Sequence, residues 1–454
     1  MISPEMSTTS ANGSTQSPSS APRSSRFPTA LVAAVVAIAF ADSSIVVLGL
    51  PQLYTRFETT ITGVSWVITA YNAAVAVAAL VLVPFARRLR AQVLFAAGAL
   101  VFLAATIACA LSQSLGFLIG ARCVQGVGAA LLLVGALPLL GVPRWTLAGT
   151  YGVAFGPALG GVLTQLFDWR AIFVAQAPFA AAALVALRLP ATELRERRPL
   201  RNIAFANVCL GLVFGALVGA LFLAVLLVIV AWQHSPLVGA LIVSVLPVAA
   251  LSARALARRL PPQAAVCGGA GLLAVGLVAL AFLPSANEAI AMCALALCGV
   301  GLGLAVPPLS NAAVDTARSA SLSVGVRHLG LVAAIASIAP LLASDLPGYG
   351  DRAELKATAV LLDAPIGISD KVPIALDLRQ AFHRAKAGEI PDLAEPFDSR
   401  GARTDSALAA ARDDLVATIQ EVITRAFRPD FLLAAAFAVA AAAFAALVGR
   451  RLFT

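Results

Sequence analysis

Residues 29–51 read TALVAAVVAIAFADSSIVVLGLP, Thr29 through Pro51, an apolar run broken by one acid, Asp42. A helix rising 1.5 Å per residue needs about 20 such residues to cross roughly 30 Å of hydrocarbon. The run ends without a small-residue cleavage site and carries a carboxylate, so it reads as a membrane helix and not as a signal peptide. Asp42 is therefore the first thing to explain, because an ionisable group at a helix centre in lipid costs at least ~2.5 kcal/mol.

Runs of the same length recur along the chain. The apolar segments predict membrane spans at 29–50, 64–86, 92–112, 115–138, 147–166, 171–189, 205–232, 235–255, 264–283, 287–309, 320–343 and 430–449. Composition agrees: 60% of residues are apolar and 12% charged, against about 45–50% and 25% in a soluble domain. A short charged stretch, 190–204, divides the spans into two sets of six, 29–189 and 205–449. Residues 1–28, rich in Ser, Thr and Pro, read as a disordered tail, and 450–454 form a short C-terminal tail.

The net charge of +9 does not point to nucleic acid. Seventeen arginines fall on the N-tail, the even-numbered connections and the C-tail, whereas the short odd-numbered loops hold only Arg56 and Arg170. This asymmetry predicts cytoplasmic termini at both ends, in a cell inner membrane. An even span count requires the same. The long connection 344–429 is then extracytoplasmic, and long segments are exempt from the charge rule. Within it, Leu408, Ala411, Leu415, Ile419, Val422 and Ile423 recur at helical spacing over 406–427, an amphipathic helix leading into the last span. Its role is open between a solvated decoration and a cap on the external mouth.

Inside the spans, a few residues stand out by their cost. Counting from the predicted ends, Asp42 lies about 12 Å below the outer surface and Arg122, on span 4, about 10 Å below it. The depths let the two meet in the outer half of the first bundle, as a static ion pair that fixes packing or as a proton-exchanging pair. Span 5 carries Gly152-Val-Ala-Phe-Gly156-Pro157-Ala-Leu-Gly160-Gly161. Glycines four residues apart let another helix approach closely, and Pro157 removes a backbone hydrogen bond and bends the helix. Asn72, Gln125, Asn311, Arg327 and His328 are candidates for contacts with a substrate in a cavity. Asp315 lies near Asn311 at the inner end of span 10. Gln233 and His234 read as solvated loop residues. The six cysteines lie within apolar runs without a CxxC or Cys/His cluster, so they read as packing residues, and no metal or cofactor is expected. No GxxxxGK[ST] motif occurs, which counts against an ATP-driven pump, and no catalytic constellation marks an enzyme.

These residues resemble those of the major facilitator superfamily, in particular its multidrug:proton antiporter branch, whose members usually have fourteen helices. Asp42 to Pro51 is similar to that branch's first-helix signature D-x-T-v-v-n-v-A-l-P, and Trp66, Thr69 and Tyr71 match its second helix. Arg122-Cys-Val-Gln125-Gly126-Val-Gly128 matches its R-x-x-Q-G-x-G, a motif linked in the family to proton transfer. Gly152 to Gly161 matches the antiporter motif G-x-x-x-G-P-x-x-G-G. Trp169-Arg170, Phe173 and Pro178 follow in order, and Arg327-His328-Leu329-Gly330 is similar to the family's R-q-l-G. The resemblance implies an all-α membrane protein of two six-helix bundles, a cavity lined by helices 1, 4, 7 and 10, and alternating access by rocking. The chain departs from the family pattern in three places, of which the first bears on gating and the last fits loss of the two linker helices of fourteen-helix relatives. The loop Val83–Arg90 has Arg where the family's inner-gate latch has Asp and lacks its glycines; the connection Leu139–Thr146 is short; and the count is twelve, not fourteen.

The expected function is secondary, proton-coupled efflux of amphipathic or cationic small molecules, because an apolar cavity with one buried carboxylate favours them. Asp42 and Arg122 would couple protons. The alternatives are an exporter of an endogenous lipid or metabolite, shielded by 344–429, and a non-transporting membrane scaffold, favoured by the altered loop. The expected partners are a small-molecule substrate, protons and the lipid bilayer, not nucleic acid, and the working unit is expected to be a monomer.

Overall fold

The structure, a computed structural model, describes residues 26–184, 189–196, 198–384, 393–402 and 404–453. The expected N-terminal tail lies, up to residue 25, outside them. All regular structure among the described residues is helical. The first half holds α1 (Phe27–Arg56), α2 (Ile61–Leu82), α3 (Ala91–Ala110), α4 (Leu115–Leu140), α5 (Val142–Leu166) and α6 (Arg170–Ala183). The second half starts with α7 (Leu200–Ala231), α8 (Pro236–Ala257), α9 (Pro262–Ala281), α10 (Glu288–Ala313) and α11 (Ala317–Asp363). It ends with α12 (Ile368–Arg384), the single turn α13 (Glu395–Asp398), α14 (Ser406–Ala426) and α15 (Arg428–Val448). Ten stretches are long and apolar enough to span a membrane unaided, the bent α5 makes eleven, and the shorter apolar α6 brings the described spans to the expected twelve. Val77, Val93, Leu241 and Val275 are exposed on the flanks, an apolar belt that belongs in lipid. α7 is the opposite case, buried nearly all round, as a helix apolar on every face must be.

The helices sort into two six-helix bundles. In the first, α1 packs on α5, α4 and α6, and α4 packs on α2 and α3; in the second, α10 packs on α8 and α9, and α7 on α11 and α15. The bundles meet along α2–α11 and α5–α8. At one end Ser321 Oγ of α11 donates to Ala79 O of α2 at 2.6 Å. At the other end of the fold, Gly161 of α5 abuts Ala240 and Pro236 of α8, and the Leu237 amide donates to Gln165 Oε1 at 3.4 Å.

Breaks within helices follow from sequence. Pro51 has no N–H for the Val47 carbonyl, so α1 tightens to a 3₁₀ turn over Val46–Gly49 and the Leu50 amide takes that carbonyl instead. α5 bends by 41° between Val142–Val153 and Phe155–Leu166. Pro157 leaves the Val153 carbonyl without its intrahelical donor, and Ser44 Oγ of α1 approaches it at 3.4 Å. The connection expected at Leu139–Thr146 shrinks to one residue, Gly141, at φ 73°, a left-handed conformation that only glycine adopts without strain. Trp145 braces this elbow by donating from Nε1 to Leu133 O of α4 at 2.9 Å.

The long connection differs from the expected one. α11 does not stop at 343 but runs unbroken for 47 residues, about 70 Å at 1.5 Å per residue, so it projects beyond any bilayer. The amphipathic helix forms as α14, with all six expected apolar residues buried, and it lies along α11. Arg400 pairs with Asp377 of α12 at 2.7 Å, and Arg412 of α14 pairs with Asp398 of α13 at 2.7 Å. Trp232, at the end of α7, donates from Nε1 to Thr424 Oγ1 of α14 at 2.9 Å. These contacts join α12–α14 into a cap seated on the second bundle.

The α1–α5 seam has no space for side chains. A Cβ on Gly152 would be driven into the Ala37 carbonyl, one on Gly156 into Ser44 Oγ and one on Gly160 into the Ile45 carbonyl. Gly152→Leu is therefore expected to destabilise the protein by about 3 kcal/mol or more through overpacking. Gly268→Leu, where a Cβ meets nothing within 4 Å, is expected to leave stability unchanged. Thermal unfolding in detergent checks the contrast, and equal behaviour of the two variants would refute the seam.

Candidate functional site

Asp42 and Arg122 meet. Both side chains are wholly buried, and Arg122 Nη1 pairs with Asp42 Oδ2. α1 brings the carboxylate and α4 the guanidinium; α6 adds Gln176, whose Nε2 donates to Asp42 Oδ1 at 2.8 Å. Arg122 also donates from Nε to Val67 O at 3.0 Å and from Nη1 to Gln125 Oε1 at 2.7 Å. Gln125 in turn donates from Nε2 to Thr106 Oγ1 at 2.8 Å. The Arg122 guanidinium lies over the Tyr71 ring, 4.2 Å from its centroid, while the Tyr71 hydroxyl donates to Ala39 O at 2.8 Å. One donor is spare: Arg122 Nη2 is buried without a hydrogen-bond partner.

The glycine–proline helix stands beside this network. α5 presents Gly152, Gly156 and Gly160 to α1 and turns Gly161 to α8. Pro157 faces the cavity between the bundles. One motif thus shapes the seam within the first bundle, the contact between bundles, and a cavity wall.

That cavity, about 840 Å³ with the open solvent at its mouth included, is partly enclosed and runs from Phe40 at mid-depth of α1 to Arg254 and Val314 at the ends of α8 and α10. Its walls come from α1, α5, α7, α8, α10 and α11, so α5, α8 and α11 contribute where the expected lining named helix 4. A smaller, deeper recess adds Ser43, Ser44 and His328. Among the sequence candidates, Arg327 and His328 line this space. Arg327 packs against two rings, its Cζ 3.9 Å from the Phe40 centroid and 4.3 Å from that of Phe214. His328 is buried, with Nδ1 2.8 Å from Val324 O.

The other candidates lie elsewhere. Asn72 is buried inside the first bundle and accepts from Ser43 Oγ at 2.8 Å, so it stands one hydrogen bond behind the recess. Gln125 belongs to the Arg122 network. Asn311 is on the exposed face at the end of α10, where its carbonyl accepts from Arg198 at 2.6 Å. Asp42 itself does not line the cavity, because α1 turns it toward α4 and α6, so the carboxylate expected to favour cations is not in the cavity walls. His234 is not simply solvated: Nε2 lies 2.8 Å from Glu288 Oε1. Cys123 and Cys293 are exposed on the flanks, unlike the buried Cys109, Cys209 and Cys298. In place of the family's latch, Arg87 of the altered loop pairs with Glu196, in the stretch between α6 and α7.

Two residues escaped the sequence reading. Gln176 is the one amide in an otherwise apolar stretch of span 6, a signal of the same kind as Asp42. Asp430 falls at a predicted span boundary, yet it is wholly buried and neither carboxylate oxygen has a hydrogen-bond partner.

The profile of the Major Facilitator Superfamily matches residues 32–344. The chain belongs to that superfamily. Among curated relatives of this facilitator, the methylenomycin A resistance protein of Bacillus subtilis (strain 168) is 31% identical over 156 residues, 32% of this chain and 34% of that one. The lincomycin resistance protein of Streptomyces lincolnensis is 32% identical over 211 residues, 42% and 43% of the two chains. The chain thus spans about a third to two fifths of the length of these relatives. The fold of the facilitator is similar to that of a bacterial homologue of the human lysosomal transporter Spinster, solved in an inward-facing, unoccupied conformation. The TM-score is 0.63 at 16% identity, covering 95% of this chain and 98% of the other.

In this facilitator, removing one member of the buried pair leaves the other charge alone in a dry interior. Asp42→Ala is expected to lower stability by about 3–5 kcal/mol, read from unfolding in detergent. Asp42→Asn combined with Arg122→Gln is expected to recover most of that loss. A double variant as unstable as the sum of its parts would show that the two groups are not coupled.

Proposed function

We propose that this facilitator is a proton-driven exporter of amphipathic small molecules, working by alternating access in the inner membrane with both termini cytoplasmic. The observation that carries this reading is the placement of Asp42. It is wholly buried against Arg122, yet it lies on the same turn of α1 as Phe40 and Ser43, which border the cavity. A carboxylate parted from its counter-charge in a dry site is neutralised by a proton. Proton binding and the spacing of α1 from α4 are then two sides of one equilibrium. Because α1 and α5 touch backbone to backbone, a shift of α1 is carried to the cavity wall and to the α5–α8 contact that seals the far end.

Three further points support the reading. The arginine asymmetry puts the ends of α8 and α10, where the cavity reaches furthest, on the cytoplasmic side, from which an exporter loads. The relatives are named as methylenomycin A and lincomycin resistance proteins, which fits outward movement. The bundles, 29–189 and 205–449, would rock about the connection 190–204, whose contacts reach both: Glu196 to Arg87 and Arg198 to the Asn311 carbonyl. The substrate and protons are the partners, in a lipid bilayer, and a single copy suffices because cavity and pair lie within one chain.

Accumulation of rhodamine 123, fluorescein and N-phenyl-1-naphthylamine in an efflux-deficient host tests the proposal. Wild type is expected to lower at least one dye by about threefold or more, and both a proton uncoupler and Asp42→Asn, at equal expression, to abolish the effect. Lowering that survives the uncoupler would remove the proton from the mechanism.

A further inference from the structure

The cavity carries charge of one sign. Two ionised side chains border it among the described residues, Arg327 in its depth and Arg254 toward the last turn of α8, and no aspartate or glutamate does. The one buried carboxylate of the first bundle is already paired with Arg122 behind α1. Neither cavity arginine has a carboxylate or a hydrogen-bond acceptor among the described residues.

The setting of Arg327 fixes what those free donors can do. The Phe40 and Phe214 rings both lie against its guanidinium, with Cζ 3.9 and 4.3 Å from their centroids. The N–H groups of a guanidinium lie in its plane, a fork that matches a carboxylate or sulfonate in two parallel hydrogen bonds. Ordering by the rings reduces the entropy lost when such a partner binds. Ser323 stands one turn earlier on α11, four residues before Arg327 and so on the same face. It too borders the cavity, and its hydroxyl has no partner among the described residues. Around these donors the wall is apolar, with Leu217, Leu246, Leu302 and Trp145.

Resting on the reading of the chain as an exporter, we propose that its substrates are amphipathic anions: apolar bodies carrying one carboxylate or sulfonate, paired with Arg327 with Ser323 beside it. A cationic amphiphile would meet two uncompensated guanidinium groups and no counter-charge. The cavity thus selects against the cations that the sequence alone led us to expect.

Two dyes on one xanthene frame separate charge from shape: fluorescein is an anion and rhodamine 123 a cation. Binding to the purified full chain in neutral detergent is read by fluorescence anisotropy, and gradient-driven movement is read in proteoliposomes with dye counted after lysis at fixed pH. Wild type is expected to bind fluorescein more tightly than rhodamine 123. Arg327→Gln is expected to weaken fluorescein binding about tenfold or more, the loss of a charged hydrogen bond, and Arg327→Lys to recover part of it. The folded state of each variant is checked by its thermal unfolding. Fluorescein binding that depends on Arg327 without any dye movement would uphold the anion site and sink the exporter reading. Gradient-driven movement of rhodamine 123 with no binding of fluorescein would do the reverse. Binding of neither dye, or fluorescein binding indifferent to Arg327→Gln, overturns the anion site.

Discussion

A carboxylate and a guanidinium held out of water inside a helical bundle set the terms for everything packed around them. Neither Asp42 nor Arg122 can be exposed, moved or neutralised alone without a penalty of several kcal/mol. The surrounding helices are therefore chosen to supply polar atoms at the right depth: Gln176 from α6, Gln125 from α4, Thr106 from α3 and the Val67 carbonyl from α2. One ion pair thus draws on five of the six helices of its bundle. The requirement also explains why apolar helices with little amphipathic character assemble in one arrangement. In lipid there is no hydrophobic force to sort them, and the polar contacts supply the register.

The second constraint is close approach. α5 has no side chains to interpose where it meets α1, and its proline bends it so that its far end reaches α8 at Gly161 while its near half stands off and borders the cavity. Tight contact at one end and separation at the other give the cavity its shape. The same helix therefore touches the charged pair's helix, the other bundle and the cavity, which makes the glycine–proline motif a structural junction as well as a packing stripe.

Much of this was legible in the chain. The spans could be read because each apolar run is as long as a membrane is thick, and the meeting of Asp42 with Arg122 because depth along a helix is a matter of counting residues. The face of α14 followed from its helical period. Rotation about the helix axis was harder. Counting places Asp42 at a depth but not on a side, so the sequence led to a carboxylate in the cavity when α1 turns it inward to α4 and α6. Asn72 and Gln125 were misplaced for the same reason, and Arg327 could not be distinguished as a stacked, unpaired cation until Phe40 and Phe214 were located in space. Asp430 was hidden by its position at a predicted boundary, where residue counting does not tell a buried group from a solvated one. The end of α11 was missed because a change from apolar to polar residues marks where a helix leaves lipid, not where it stops.

The elbow at Gly141 bears on how the parts move. A one-residue link contributes a single pair of backbone torsions, and here the indole of Trp145 is hydrogen-bonded across it to α4. The arm that carries Arg122 and the arm that borders the cavity are thereby two limbs of a crank. Rotation of one about its axis is delivered to the other with little slack, whereas a flexible loop of eight residues would absorb it. The shortened connection, which breaks with the family pattern, ties the helix of the charged pair directly to the helix that borders the cavity.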